Sequence, residues 1–260
     1  MNRWAVPILH EHKHYYIVNK VHGIVCQPPD LRTWYKYHDY EPPVLLDLLR
    51  KQHPNFGGEV WRTVHRLDEP VTGGVLVSRN KRAAAMFSRS LALGGNRGFP
   101  LTRRYVALLA REAKGLPSEG RITMGDMITD YKRLENDLVL LQLQTGRKHQ
   151  IRKQMAQVFG QPVVNDKMYG GDSVDGIVDN LIGLHSAFIG AQCGLQARTY
   201  LIPIPRTQDA FKLWDKYIDE QGGFIPSVQK ELRDFSLPSK LENTITLLSG
   251  GQGGIQISYK

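Results

Sequence analysis

The sequence predicts an α+β domain in which helices flank a central sheet. Short apolar strand patterns recur along the chain, for example at residues 74–78 and 185–191. Amphipathic patterns with helical spacing lie between them, at residues 81–93 and 150–159. With 260 residues, 41% of them hydrophobic, the chain can bury a substantial core as one large domain or as two halves that share a sheet.

The first half of the chain alternates strand and helix patterns. Residues 14–25 predict a strand and a second short strand around Gly23, and the residues after them, rich in Pro and Tyr, predict a loop. Asn80 is expected to cap a helix that buries Ala84, Phe87 and Leu91. The other predicted segments are a loop at 27–40, a helix at 43–50, a break at 54–58, a strand at 74–78 and a mobile glycine-rich segment at 94–98.

The second half is expected to supply most of the sheet. Ile151, Met155 and Val158 recur at helical spacing and should face the core. Thr207 is expected to cap a last helix that extends through Tyr217. The remaining predictions are strands at 103–111, 121–128, 131–143, 185–191 and 198–204, and an exposed loop at 165–180.

Composition limits the class of partner and of site. The formal charge is +9 and the isoelectric point is about 9.5, which favours a polyanion such as RNA, although a basic soluble protein is the alternative. Cys26 and Cys193 are the two cysteines, so the sequence predicts a reducing compartment and no metal centre. No run of 18 apolar residues is present, so no membrane span is expected.

Two charged segments stand out as a candidate site. Asp68 lies where a strand pattern ends in a loop, beside His65 and Arg66. Far along the chain, residues 145–152 place three cations and an amide between a strand pattern and a helix pattern. If the segments meet, Arg152 can keep Asp68 ionised, whereas the alternative is an ordinary salt bridge.

The motifs occur in a recognisable order. Residues 65–68 (His-Arg-Leu-Asp) precede Thr-Gly at 72–73, Arg-Tyr-Val-Ala at 104–107 and Gly-Arg-Lys-His-Gln-Ile-Arg at 146–152. Shorter strings at 16–23, 162–170 and 184–186 fit the same series. In this order the chain resembles the RluA family of pseudouridine synthases, from about residue 8 to residue 215. The resemblance implies a catalytic domain at 1–222 and a C-terminal extension at 223–260.

The resemblance also implies a fold and a reaction. The fold would be a mixed, mainly antiparallel central sheet flanked by helices, with a central cleft. The enzyme would isomerise uridine to pseudouridine without a cofactor, with Asp68 as the essential carboxylate. Arg152 would be its counter-ion, and Tyr105 would lie under the uracil, where its hydroxyl could take the C5 proton; a buried core tyrosine in a strand is the alternative for Tyr105. Val71, Gly74 and Lys148 depart from the usual motifs and put substrate choice in doubt more than activity.

RNA contacts are expected from the basic residues of these motifs. A uridine in folded RNA must be extruded to reach the pocket, and Arg66 matches the family residue that fills the gap in the stack. For Lys20, Arg147, His149 and Lys153, the alternative is a solvated surface position without RNA contact. The predicted RNA-binding residues are His65, Arg66, Arg147, His149, Lys20 and Lys153.

The substrate is less defined than the reaction. A monomer acting on a mitochondrial large-subunit rRNA is favoured, while tRNA and a cytoplasmic location are the alternatives. An RNA-binding ribosome-assembly factor that does not need catalysis is a second class of function. A glycoside hydrolase would need two carboxylates that flank one bond, and Glu69 is adjacent to Asp68 in sequence, so this reading is disfavoured.

Overall fold

A computed structural model describes residues 4–56, 58–92, 98–110, 117–237, 243–247 and 255–259. The strands in these ranges are β1 (Ile8–Glu11), β2 (Tyr15–Lys20), β3 (Arg62–Thr63), β4 (Thr72–Ser78), β5 (Leu101–Leu108), β6 (Glu119–Met124), β7 (Met127–Arg133), β8 (Leu138–Leu143), β9 (Leu184–Cys193), β10 (Gln196–Leu201), β11 (Asn243–Leu247) and β12 (Ile255–Tyr259). The α-helices are α1 (Leu31–Trp34), α2 (Leu45–Gln52), α3 (Lys81–Leu91), α4 (Gln150–Gln157), α5 (Gln208–Trp214) and α6 (Pro226–Asp234).

All of these strands belong to one mixed sheet. Its order is β1-β2-β4-β9-β5-β8-β7-β6-β11-β12, with β3 paired to β4 and β10 paired to β9. The pairings are antiparallel except for β4 with β9 and β11 with β6. The predicted fold class, a mixed and mainly antiparallel sheet with flanking helices, is confirmed. A search of the described residues finds no helix that is long and apolar enough to cross a bilayer.

The sheet has a core on each face, and β5 contributes to both. Tyr105 and Ala107 belong to one core cluster, while Val106 and Leu108 belong to the other, as the period of two in a strand requires. Helices α2 and α4 cover the first cluster, and α5 and α6 cover the second. The site described below lies on the side of the first cluster.

The predicted helix caps are present. The Asn80 side chain accepts a hydrogen bond from the Ala83 amide at 2.8 Å, and Thr207 accepts one from the Ala210 amide at 3.3 Å. Each cap supplies an acceptor to an amide that the helix leaves unpaired. The buried face of α3 is formed by Ala83 and Phe87 rather than by Ala84, so that prediction was off by one residue.

Several element boundaries differ from the prediction. Gly23 forms a turn with φ 77° instead of a second strand, and α1 interrupts the expected loop at 27–40. The strand predicted at 131–143 is two strands, because β7 ends at Arg133 and β8 begins at Leu138. Residues 94–97 of the expected mobile segment lie outside the described residues.

Residues beyond 222 pack onto the domain. Val228 and Leu232 of α6 are buried in the same cluster as Phe188 of β9. The Arg104 guanidinium lies 4.6 Å from the Phe188 ring and donates hydrogen bonds to the carbonyls of Leu232 and Arg233. Helix α6 therefore forms part of the second core cluster. The boundary between a catalytic domain and a C-terminal extension at residue 222 stays a prediction.

Candidate active site

Asp68 lies in the loop between β3 and β4, and a buried lysine holds that loop in place. The Lys20 side chain is fully enclosed, and its ammonium donates to the carbonyls of Val21, Ile24 and Glu69 at 3.1, 2.8 and 3.1 Å. Burial lowers the pKa of Lys20 to about 8. An RNA phosphate cannot reach this ammonium, so the predicted RNA contact of Lys20 is wrong and its role is to anchor the loop.

The loop continues directly into the parallel joint between β4 and β9. Thr72 pairs with His185 and Gly73 with Ser186 in this ladder, and Thr72 Oγ1 lies 2.8 Å from His185 Nδ1. Gly73 has φ 113°, and a Cβ atom there would lie 2.5 Å from the Ser186 carbonyl oxygen. Only glycine fits such a close backbone approach in this conformation. The joint therefore fixes the backbone four residues after the candidate carboxylate.

Arg152 lies beside Asp68, but a second carboxylate holds it more closely. The distance from Arg152 Nη1 to Asp68 Oδ2 is 3.5 Å. Arg152 Nε and Nη2 bind the two oxygens of Asp166 at 2.6 and 2.7 Å, and the Tyr169 ring lies 5.1 Å from the guanidinium. Asp166 is buried, so the expected exposed loop at 165–180 is wrong at this residue. The fork-like pair with Asp166 fixes the guanidinium, which then faces Asp68.

His149 also faces the candidate carboxylate. Its Nε2 atom lies 3.8 Å from Asp68 Oδ1, and its Nδ1 atom lies 2.9 Å from the Tyr169 hydroxyl. Burial lowers the pKa of His149 below its usual range, although Asp68 works in the opposite direction. The ring is therefore mainly neutral at pH 7 and is a hydrogen-bonding group rather than a cation. Its predicted contact with RNA stays a prediction.

Tyr105 closes the pocket on another side of Asp68. It is buried and lines a narrow pocket of about 50 Å³ together with Asp68, Val71 and Leu184. Burial raises the pKa of Tyr105, and the positive charge of Arg103 opposes this shift. The phenol is therefore protonated at neutral pH, which favours a stacking surface for the uracil over a base that takes the C5 proton.

Two larger cavities meet at Asp68. One has a volume of about 440 Å³ and is lined by residues of the 63–66 segment, β5 and the 145–148 loop. The other, of about 330 Å³, is lined by residues that include Glu69, Asp166 and Met168. Both volumes fall in the range of ligand sites. Within the described ranges, no three His, Cys, Asp or Glu side chains are grouped as they would be around a metal ion.

The other predicted RNA-binding residues differ in position. Arg66 is exposed and lines the 440 Å³ cavity, as does Arg147, which also pairs with Asp126 at 2.7 Å. His65 forms the cavity wall but is 7% exposed and accepts a hydrogen bond from a β4 amide. Burial lowers the pKa of His65 to about 3, so it is not a cation for phosphate. Lys153 is half-buried on α4 and is not among the residues that line the three cavities.

Gln150 organises the 145–152 segment, a role that the sequence reasoning missed. Its side-chain oxygen accepts from the Thr145 hydroxyl at 2.9 Å and from the Arg147 amide at 3.0 Å. Its side-chain nitrogen donates to the Ile128 carbonyl and to Thr129. These bonds tie the loop to β7. Asp166 was missed as well, although it lies in a string that the family resemblance had already singled out.

Comparison with known proteins decides the family. Residues 14–157, more than half of the chain, match the family model described as RNA pseudouridylate synthase. The chain belongs to this family of RNA pseudouridylate synthases. Asp68, Tyr105 and the whole of α4 lie within the matched region, and enzymes of this family are isomerases that convert uridine to pseudouridine in RNA.

Pseudouridine synthases of two yeasts are similar to this chain over most of its length. The 21S rRNA pseudouridine(2819) synthase of Kluyveromyces lactis is 40% identical over 229 residues, which cover 85% of this chain and 75% of the relative. The enzyme of the same name from Saccharomyces cerevisiae is 38% identical over 243 residues, covering 87% and 95%. Both alignments extend well beyond the region matched by the family model.

Solved structures confirm the fold of this pseudouridine synthase. Human RNA Pseudouridylate Synthase Domain Containing 4 superposes with a TM-score of 0.56 at 18% identity, covering 80% of this chain and 92% of the human chain. Human RNA Pseudouridylate Synthase Domain Containing 1 gives a TM-score of 0.55 at 20% identity, covering 90% and 97%. At these identities the likeness concerns the fold alone.

Proposed function

We propose that this pseudouridine synthase modifies a uridine of the mitochondrial large-subunit ribosomal RNA, acts as a monomer, and uses Asp68 as its catalytic carboxylate. The substrate class rests on the two yeast relatives, whose names specify 21S rRNA and whose alignments cover 85% and 87% of this chain. The observation that carries the mechanism is the position of Asp68, 3.5 Å from Arg152 and in one pocket with Tyr105.

The target uridine first has to leave the RNA fold. Extrusion costs a few kcal/mol, and we assign Arg66, which is exposed and lines the pocket, to the vacated position in the stack. The reaction then breaks the bond between N1 and C1′, rotates the uracil and joins C5 to C1′. The C5 proton is lost and N1 gains a proton, so atoms and electrons balance without a co-reactant.

The pocket residues divide this work. Asp68, one fifth exposed, faces the Arg152 guanidinium and acts on the ribose or the base. Tyr105 supports the ring of the detached uracil, which must not escape before it rejoins C1′. The bidentate bond with Asp166 keeps Arg152 in one orientation throughout the reaction.

The test is Asp68→Asn, measured on in vitro transcripts of the large mitochondrial rRNA and of tRNAs. We expect no pseudouridine from the variant while RNA affinity and thermal stability stay near wild type, because the substitution keeps the shape of the side chain. Asp47→Asn is the matched control, since its carboxylate is 56% exposed and pairs only with Arg50 among the described residues.

Two biochemical outcomes would contradict the proposal, and one genetic outcome would favour an RNA-binding function instead. Pseudouridine formed at the wild-type rate by Asp68→Asn would remove the catalytic role from this residue. Modification of tRNA alone by the wild-type enzyme would overturn the substrate class. Full rescue of a deletion strain's growth by Asp68→Asn would show that RNA binding, and not catalysis, is the required activity.

A further inference from the structure

Arg103 is a buried cation that has no acceptor in the described part of the chain. It is 7% exposed, its Nε atom is enclosed without a hydrogen-bond partner, and it forms no ion pair with any described residue. The undescribed segment at 93–97, which follows the helix that lines the same cavity, contains no Asp or Glu. A buried charge without a partner costs several kcal/mol, so proteins rarely retain one without a use for it.

The backbone of β5 directs this guanidinium into the 440 Å³ cavity. Arg103 and Tyr105 both line the cavity, whereas the intervening Arg104 stacks on Phe188 on the other face of the sheet. Gly146 provides the space that the guanidinium needs, because a Cβ atom there would lie 3.0 Å from Arg103 Nη1. A motif glycine and a strand residue thus combine to place the cation at the cavity wall.

The cavity around Arg103 is suited to an anion. Arg66, Arg147 and Lys148 line it as well, and Asp68 is the one carboxylate among its lining residues. Asp68 already faces Arg152, and Arg147 pairs with the exposed Asp126 outside the cavity lining. The net positive charge is therefore left for a ligand, and Asp68 and Tyr105 line the same cavity.

We propose that Arg103 anchors a phosphate subsite, binding an RNA backbone phosphate next to the uridine that enters the Tyr105 pocket. This inference rests on the proposed function and names a contact within it. A phosphodiester suits the site better than a uracil carbonyl does, because it carries the charge that a buried guanidinium lacks and accepts two parallel hydrogen bonds. Anchoring the strand there would hold the extruded nucleotide in register with Asp68.

The first measurement is the salt dependence of RNA binding. With an rRNA fragment that the wild-type enzyme modifies, we expect Arg103→Gln to bind about 10- to 100-fold more weakly, the range for a hydrogen bond to a charged group. The slope of log Kd against log salt should fall by about 0.7, the value for one phosphate contact in single-stranded nucleic acid. Arg198→Gln, an exposed control on β10 that also removes one positive charge, should leave affinity and slope unchanged.

A second measurement separates binding from a structural role. Because Arg103 has no acceptor in the described part of the free protein, Arg103→Gln should leave thermal stability unchanged or raise it. Arg103→Lys keeps the charge but cannot donate two parallel hydrogen bonds to one phosphate. The slope of log Kd against log salt should therefore stay as in the wild type, while the affinity for RNA falls. A drop in stability for Arg103→Gln of the size expected for a broken buried ion pair would overturn the proposal.

The position of the phosphate can be mapped with methylphosphonate substitutions near the target uridine. Neutralising one linkage should weaken wild-type binding about tenfold and leave Arg103→Gln unaffected, as in a double-mutant cycle. Equal losses in both proteins at every linkage, or a fall in kcat with Kd and salt slope unchanged, would overturn the subsite. A wild-type protein that neither binds nor modifies any rRNA fragment would overturn the proposed function and this inference together.

Discussion

The pair between Arg152 and Asp166 gives the sharpest stability prediction. Asp166 is 1% exposed and holds the 4% exposed guanidinium with bonds of 2.6 and 2.7 Å. In Asp166→Asn the amide oxygen keeps one acceptor, but the charge is lost and the amide NH₂ group faces the guanidinium. Breaking a buried pair in this way costs about 3 kcal/mol, the lower end of the range for removing one partner.

Urea unfolding monitored by fluorescence measures this cost. With an m-value of about 3 kcal/mol per M, the midpoint should fall by about 1 M. Asp179→Asn is the matched control on the same loop, because its pair with Lys167 is 2.8 Å long but 71% and 49% exposed. Such a pair contributes about 0 to 1 kcal/mol, so its midpoint should shift by less than about 0.3 M.

The same variant should lower activity through Arg152. Without the charge of Asp166, the nearest carboxylate to the guanidinium in the described part of the chain is Asp68, at 3.5 Å. A closer pair between Arg152 and Asp68 would draw the carboxylate from the substrate, so kcat should fall more than RNA affinity does. A midpoint for Asp166→Asn that matches Asp179→Asn, together with unchanged kcat, would refute this reasoning.

Three further predictions concern the frame of the site. In the wild type, burial lowers the pKa of His65 to about 3, so the free energy of unfolding falls as the pH drops below the pKa of histidine in the unfolded chain. Between pH 6.5 and 5, the free energy of unfolding of His65→Gln, measured with urea, should therefore fall by about 2 kcal/mol less than that of the wild type. An equal pH dependence in the two proteins would contradict this. Gly73→Ala should lower Tm by about 6 to 12 °C, whereas Gly125→Ala, with φ 58° but open space, should lower it by only a few degrees. Lys20→Met should destabilise the fold by about 2 to 3 kcal/mol without changing the salt slope of RNA binding, and a reduced slope would restore Lys20 as an RNA contact.

Local features of the fold were predictable because they depend on interactions between residues that are close in sequence. The caps at Asn80 and Thr207 depend on a hydrogen bond to an amide three residues away, which a sequence shows directly. Where a side chain could face either of two neighbouring directions, as at Ala83 and Ala84, the pattern was insufficient. The break between β7 and β8 was missed, although the polar residues Glu135, Asn136 and Asp137 between the two strands are typical of a turn.

The motifs of the site were predictable from the sequence, but the hydrogen-bond and ion-pair partners of the charged residues were not. A charged residue is usually exposed, so Lys20 was assigned to RNA, and the carbonyls that enclose it come from two segments separated in sequence. Asp166 reaches Arg152 from a loop that looked polar throughout. Arg103 gave no signal of its own, because the absence of a partner is a property of the folded chain alone.

The short parallel ladder between β4 and β9 joins two halves of the sheet next to the candidate carboxylate. Through Thr72 and Gly73 it connects β1, β2, β3 and β4 to the remaining strands. A rotation of one half of the sheet against the other would have this ladder as its axis. Such a rotation would move Asp68, which precedes β4, relative to Tyr105 on β5. Cleft width and the position of Asp68 therefore depend on the same ladder, so a substitution in it, such as Gly73→Ala, should lower turnover as well as Tm.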